Sequence, residues 1–135
     1  MAIVGFNFNK ITAEKKSAVK GKIKINNNVS IKDVSSMDFS IGSTKQKGLK
    51  YGYEFTAKFE PNLGSIVIQG DVLSLEEASK VDEILKQWKK SKKVGNEFMV
   101  PIMNTILSKC NIKALILSQD LNLPAPLQMP RVKAK

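Results

Sequence analysis

Histidine is absent from these 135 residues, and cysteine occurs once, as Cys110. The common zinc sites and Ser-His-Asp or Cys-His catalysis therefore have no residues to be built from. No disulfide can form within the chain, which suits a reducing compartment. Gly42, Gly48, Gly52, Gly64, Gly70 and Gly95 each stand alone, so there is no glycine-rich loop to cradle phosphates. Neither an enzyme nor a bound cofactor or metal is expected. Continuous apolar runs fall short of the roughly 20 residues that span a bilayer. Met1-Ala2-Ile3-Val4-Gly5 also lacks the basic start of a signal peptide. A cytoplasmic protein without membrane insertion is expected. Arginine is scarce as well: Arg131 is the single one among 22 basic residues, which disfavours bidentate recognition of guanine or phosphate.

What is abundant is lysine, giving a formal net charge of +10. Such a surface gains affinity for polyanions by releasing counterions, and it equally serves as a solvated coat. The hydrophobic share of 42% suffices for one core, so residues 1–135 are expected to form a single domain.

Within it, Leu49, Tyr51, Tyr53, Phe55, Ala57 and Phe59 alternate with polar residues or glycine, the signature of a half-buried strand. Glu60-Pro61-Asn62-Leu63-Gly64 supplies a turn, with Gly64 free to take a positive φ, and Ile66, Ile68 and Val72 resume the alternation. These segments predict an antiparallel hairpin with an aromatic face that other elements must cover. Upstream, Val4, Phe6 and Phe8, then Ile11 and Ala13 in shifted phase, predict a strand with a bulge near Lys10. Val19, Ile23 and Ile25 predict another, ended by a turn at Asn26-Asn27-Asn28. Val29, Ile31, Met37, Phe39 and Ile41 follow in a weaker pattern, either a strand or a crossover lying over the sheet.

After Val72 the period changes to 3.6. Ser74 and Glu77 have the spacing of a capping box opening a helix from Ser74 to Lys93, with Leu75, Ala78, Val81, Ile84, Leu85 and Trp88 on its apolar side. Lys86, Lys89, Lys90, Lys92 and Lys93 crowd its end, where cations suit the helix dipole, and Gly95 is expected as its terminator. A second helix, Glu97 to about Gln119, carries an apolar band so wide that it predicts burial on two sides, against the sheet and against a second subunit. Phe98, Ile102, Ile106, Leu107 and Cys110 are the candidates for that oligomer interface. The prolines of Leu121-Asn122-Leu123-Pro124-Ala125-Pro126-Leu127-Gln128-Met129-Pro130 impose an extended apolar tail that must dock on something, and the basic end at 131–135 is expected to fray.

The helix start Val100-Pro101-Ile102, the apolar run through Ile106-Leu107-Ser108-Lys109, and Leu121-Asn122-Leu123-Pro124-Ala125-Pro126 resemble the C-terminal half of the SecB family of protein-export chaperones. Members of that family carry a phenylalanine-proline-tyrosine helix start and a leucine-asparagine-leucine segment closely followed by proline. The preceding order of four strands also resembles that family. The resemblance implies a four-stranded antiparallel sheet backed by helices, assembly as a dimer of dimers, and ATP-independent holding of unfolded polypeptides in apolar grooves. SecB itself is acidic, whereas this chain is basic and places Lys45 and Lys47 before the central strand. A long helix also stands where SecB is mostly loop. The likeness therefore fits a distant, basic, ATPase-independent relative, for which an archaeal source is one expectation.

Together these readings give an α+β fold, a four-stranded antiparallel sheet with two C-terminal helices packed on one face. The function they point to is a holdase for apolar segments of unfolded or nascent polypeptides, assembled as a dimer or tetramer. Client contacts are expected from Val29, Ile31, Met37, Phe39, Leu121, Leu123, Leu127 and Met129, with pairing to an edge strand as a second route. The alternative is a lysine-rich nucleic-acid-binding or ribosome-associated protein using Lys86 to Lys93 with Lys20, Lys22 and Lys24.

Overall fold

A computed structural model describes residues 2–16, 21–41 and 44–126. Four strands, β1 (Ala2–Lys15), β2 (Lys24–Ile41), β3 (Thr44–Glu60) and β4 (Gly64–Leu75), precede two helices, α1 (Ala78–Ser91) and α2 (Asn96–Asp120). Every pairing is antiparallel and the order across the sheet is β1-β4-β3-β2, so the first two strands of the chain are its two edges. The alternation in β3 buries Leu49, Tyr51, Tyr53, Phe55, Ala57 and Phe59 on one face, and β4 adds Ile66, Ile68 and Val72 beside them. Both helices cover that face: Val81, Ile84 and Trp88 of α1 and Phe98, Ile102, Ile106, Cys110 and Ala114 of α2 complete the core. The opposite face is polar at its centre, with Val67, Leu73 and Leu75 of β4 half-buried on it. There Asn9 Nδ2 donates to Asp71 at 2.6 Å, Gln69 Nε2 donates to Glu54 at 2.7 Å, and Lys50 and Lys32 approach Asp71 and Glu54 at 3.8 and 4.0 Å.

Strand β1 carries the expected bulge between Phe8 and Lys10, and a second between Ile3 and Gly5. The first one absorbs the change of phase. Phe6 and Phe8 before it, and Ile11 and Ala13 after it, all pair with residues of β4 on the helix side, namely Val72, Gly70, Ile68 and Ile66. Over Gly70, Tyr53 Oη donates to the Asn7 carbonyl at 3.0 Å, tying β3 to β1 across the intervening strand. Phe6 stacks on the Tyr53 ring at 5.2 Å.

Four local expectations are corrected. Asn26-Asn27-Asn28 makes no turn, because β2 runs straight through it, paired with Lys58, Ala57 and Thr56. Tertiary pairing outweighs the poor strand propensity of asparagine. Val19 lies outside the described residues. Ser74 caps no helix: it is a fully buried strand residue between Ile3 and Leu49, and α1 opens at Ala78 with Glu77 as N-cap. At the other end Lys92, not Gly95, adopts the left-handed conformation, and its N–H donates to the Trp88 carbonyl at 2.8 Å. Gly95 instead opens α2, its N–H donating to Gln87 Oε1 at 3.0 Å. In the hairpin turn the positive φ belongs to Asn62, at 52°. Gly64 is required for a different reason, since a Cβ there would strike the Glu14 carbonyl of β1.

The missing cap has an electrostatic consequence. Tyr51 Oη, Ser74 Oγ and Glu76 Oε1 are buried without hydrogen-bond partners where β4 meets α1. Burial pushes the Tyr51 phenol up to about 12, the Glu76 charge adds to this, and the Ser74 hydroxyl, close but outside hydrogen-bond geometry, works the other way. Burial likewise raises the Glu76 carboxyl above its ordinary value, against the pull of Lys80. A carboxyl whose folded pKa exceeds its unfolded one costs stability when ionised. That cost is absent below the unfolded pKa and sets in as pH rises through the folded value. Glu76→Gln should therefore raise Tm at pH 7, and its melting curve should converge on wild type below about pH 4. A variant that melts no higher than wild type at pH 7 would show that the carboxylate is adequately solvated.

Candidate functional site

Helix α2 sorts its residues into rows spaced four apart, the neighbour relation of helix surfaces. Phe98, Ile102, Ile106, Cys110, Ala114 and Ser118 form a row that is buried throughout. Directly opposite, Val100, Asn104, Ser108, Ile112 and Ile116 are exposed throughout, and Ile112 is 58% accessible. Between these rows, Met99, Met103, Leu107 and Leu115 make one flank apolar, while Thr105, Lys109 and Lys113 make the other polar. A row of this kind inclines about 26° to the helix axis, so the contact line winds across the helix as the twisted sheet turns beneath it. By length and composition residues Glu97–Asp120 could cross a membrane. Its apolar residues form no continuous run, because Asn104, Ser108, Lys109 and Lys113 interrupt them.

The five interface candidates divide between these rows. Phe98, Ile102, Ile106 and Cys110 are taken up by the chain's own core, because they face the sheet, and Leu107 alone emerges at the surface. The residues that present an unpartnered apolar surface are Val100, Ile112 and Ile116, which the breadth of the apolar band concealed. Cys110 is chemically quiet. Burial pushes its thiol up to about 11, only partly offset by the neighbouring Tyr53 phenol, and burial also raises Tyr53, with Cys110 adding to the effect. Both remain protonated at neutral pH. Among the described residues no three of His, Cys, Asp and Glu gather as metal ligands.

A second apolar surface lies along β1. Among the described residues only β4 pairs with this strand, and the helices lie over β2, β3 and β4, so Ile3, Val4, Phe8 and Ile11 remain exposed, Phe8 by 40%. Its alternation is visible in the sequence, but its place at an edge beyond the helices is not. The other edge, β2, is blunted. It carries Lys24, Asn26, Asn28 and Lys32 on its exposed positions and a bulge between Ile31 and Asp33.

The residues expected to contact clients do not form one surface. Val29 and Ile31 are half-buried on the helix side of β2, opposite Phe55 and Tyr53, whereas Met37 pairs with Gly48 on the other side of the sheet. The tail after α2 docks on its own domain: Leu123 enters the core, Leu121 packs half-buried against it, and Asn27 Nδ2 donates to the Pro126 carbonyl at 2.8 Å. Leu123 is therefore closed to a client in this arrangement. Leu127 and Met129 lie outside the described residues, as does the side chain of Phe39. Near the tail, Leu115, Ile116, Ser118, Gln119, Leu123 and Ala125 line a shallow apolar depression.

No family profile matches the sequence, and neither does any curated protein. Among solved structures, the fold is similar to that of the SecB-like chaperone Rv1957 of Mycobacterium tuberculosis, determined in complex with a ChAD peptide from the HigA1 antitoxin Rv1956. The TM-score is 0.53 at 9% identity, covering 98% of this chain and 91% of that one. At this identity what is shared is the architecture, a distant SecB-like fold.

Proposed function

We propose that this protein is an ATP-independent holdase that shields apolar segments of unfolded or nascent polypeptides, acts in the cytoplasm and needs no cofactor. The observation that carries this reading is the apolar edge of β1, where Ile3, Val4, Phe8 and Ile11 are exposed beside backbone donors and acceptors that no second strand pairs among the described residues. An extended client can add a strand there, with main-chain bonds giving affinity and alternate apolar side chains giving grip. The SecB-like architecture supports the reading, as does the peptide held by the mycobacterial chaperone that shares it. Val29, Ile31, Met37 and Leu121 are proposed as secondary client contacts apart from this edge, and the expectation for Phe39, Leu127 and Met129 is kept with them. The exposed residues Val100, Ile112 and Ile116, with Leu107 on the neighbouring flank, serve a different purpose, joining two or four copies through α2.

A chemically unfolded, aggregation-prone client diluted into the protein should remain soluble without nucleotide, and raising salt should leave most of that protection intact. Phe8→Asp combined with Ile11→Asp should abolish protection while leaving the circular dichroism spectrum unchanged. In light scattering, Ile112→Asp with Ile116→Asp should convert an oligomer to a monomer. If wild type protects no client, the holdase reading is wrong. Full protection by the Phe8/Ile11 variant would move the site away from β1, and a monomeric wild type at tens of micromolar would remove the role given to α2.

A further inference from the structure

Helix α1 segregates its charges. Glu76, Glu77, Asp82 and Glu83 stand at or near its start, whereas Lys86, Lys89, Lys90, Lys92 and Lys93 crowd its end, all five exposed. No acidic residue occurs between Lys86 and Glu97. Lys80, Lys32 and Lys50 each meet a carboxylate within 4.0 Å, but among the described residues none of these five does. Their proximity has a cost, since Lys86 is a like-charge neighbour of both Lys89 and Lys90 along the helix, and only Lys86 has acidic neighbours one turn back, Asp82 and Glu83. The dipole at a helix C-terminus offers only about half a unit of negative charge, roughly a tenth of what five ammonium groups carry. Helix capping therefore leaves most of this charge unanswered.

The chemistry of the patch narrows the partner. No large apolar residue from Ala78 to Gly95 is exposed, so nothing there can enter a bilayer. Trp88 is buried, with Lys92 Nζ 5.4 Å from its ring centroid, so no aromatic face is left for stacking a base. Lysine ammonium groups act as point charges and do not read base edges as arginine does. These features suit a partner that presents a dense row of anions, and a duplex presents one, with a charge per about 1.7 Å of axis. We infer that the C-terminal end of α1 docks on the phosphate backbone of nucleic acid without base preference, at a site separate from the apolar surfaces.

The test uses the full chain and two fluorescent duplexes of unrelated sequence, followed by anisotropy at about 50 mM salt. Both duplexes should bind equally, and log affinity should fall against log salt with a slope of about −3 to −4.5, or 0.9 per phosphate contacted. Lys86→Glu, Lys89→Glu and Lys90→Glu together should weaken binding by at least about tenfold. Reversing the exposed lysines Lys47 and Lys58 of β3 and Lys109 of α2 instead lowers the net charge of +10 by the same six units. That control should bind within about threefold of wild type, and both variants should still protect an unfolded client at high salt. The milder Lys86→Gln, Lys89→Gln and Lys90→Gln variant should weaken binding by an intermediate factor, covering the case in which charge reversal perturbs α1. The inference is overturned by no duplex binding at 50 mM salt, by equal losses in the reversal variant and its control, or by retention on phosphatidylserine vesicles without duplex binding.

Discussion

Phe55→Ala should be among the most damaging single changes available, costing about 3–5 kcal/mol. Phe55 is fully buried at the centre of β3, paired with Val29 on one side and Ile68 on the other, beneath both helices. Truncation removes the transfer energy of the ring and leaves a cavity that flanking strands, held by their hydrogen-bond ladders, cannot close. Urea unfolding should show a lower midpoint at nearly unchanged slope, since the same surface is exposed on unfolding. Tyr53→Ala should cost a similar amount. Tyr53→Phe isolates the hydrogen bond to the Asn7 carbonyl and should cost only about 1 kcal/mol. An unaltered midpoint for Phe55→Ala would mean that the centre of the sheet is not the centre of the core.

The second large effect comes from adding a single methyl group. At Gly70 a Cβ would collide with the Asn7 carbonyl of β1 and come within 2.6 Å of Tyr53 Oη. Backbone must therefore move, and the hydrogen bond that ties β3 to β1 is lost with it. Overpacking of about 1–3 kcal/mol and the broken bond of about 1 kcal/mol put Gly70→Ala near 2–4 kcal/mol. The damage should be concentrated in β1, whose amides should exchange with deuterium much faster than those of β3. Gly52 supplies the control, because its added Cβ would meet nothing nearer than Asp33 at 3.6 Å. Gly52→Ala should shift stability by less than about 0.5 kcal/mol. Equal effects at the two glycines would show that β1 does not approach Gly70 closely.

These two sites also show which parts of the structure were legible in advance. The run from Leu49 to Phe59 reveals its buried face because alternation is a local property, and both helices reveal themselves by their period. The bulge near Lys10 is legible for the same reason, as a change of phase. Ser74 is not. Its spacing to Glu77 suits a capping box, and only the pairing with Ile3 and Leu49 decides that the strand continues past it. The asparagines of β2 are misleading in the same way. The exposed surfaces are the hardest to foresee, because Phe8 and Phe55 obey one alternation rule and differ only in the strand order that leaves β1 outside the helices. In α2 a band of apolar residues hides two opposite rows, one for the sheet and one for solvent.

The strand order β1-β4-β3-β2 also sets a timetable for synthesis. β2, β3 and β4 are consecutive, so each can close a hairpin with its neighbour as soon as that neighbour is made. β1 is translated before all of them, yet its partner among the described residues, β4, does not begin until Gly64. At about 5–20 residues per second, the intervening chain takes on the order of several seconds to appear. Throughout that interval Phe6, Phe8 and Ile11 belong to an unpaired nascent segment. A protein proposed to shelter exposed chains thus begins its own life as one, and the strand that waits longest for a partner is the one left with a free edge.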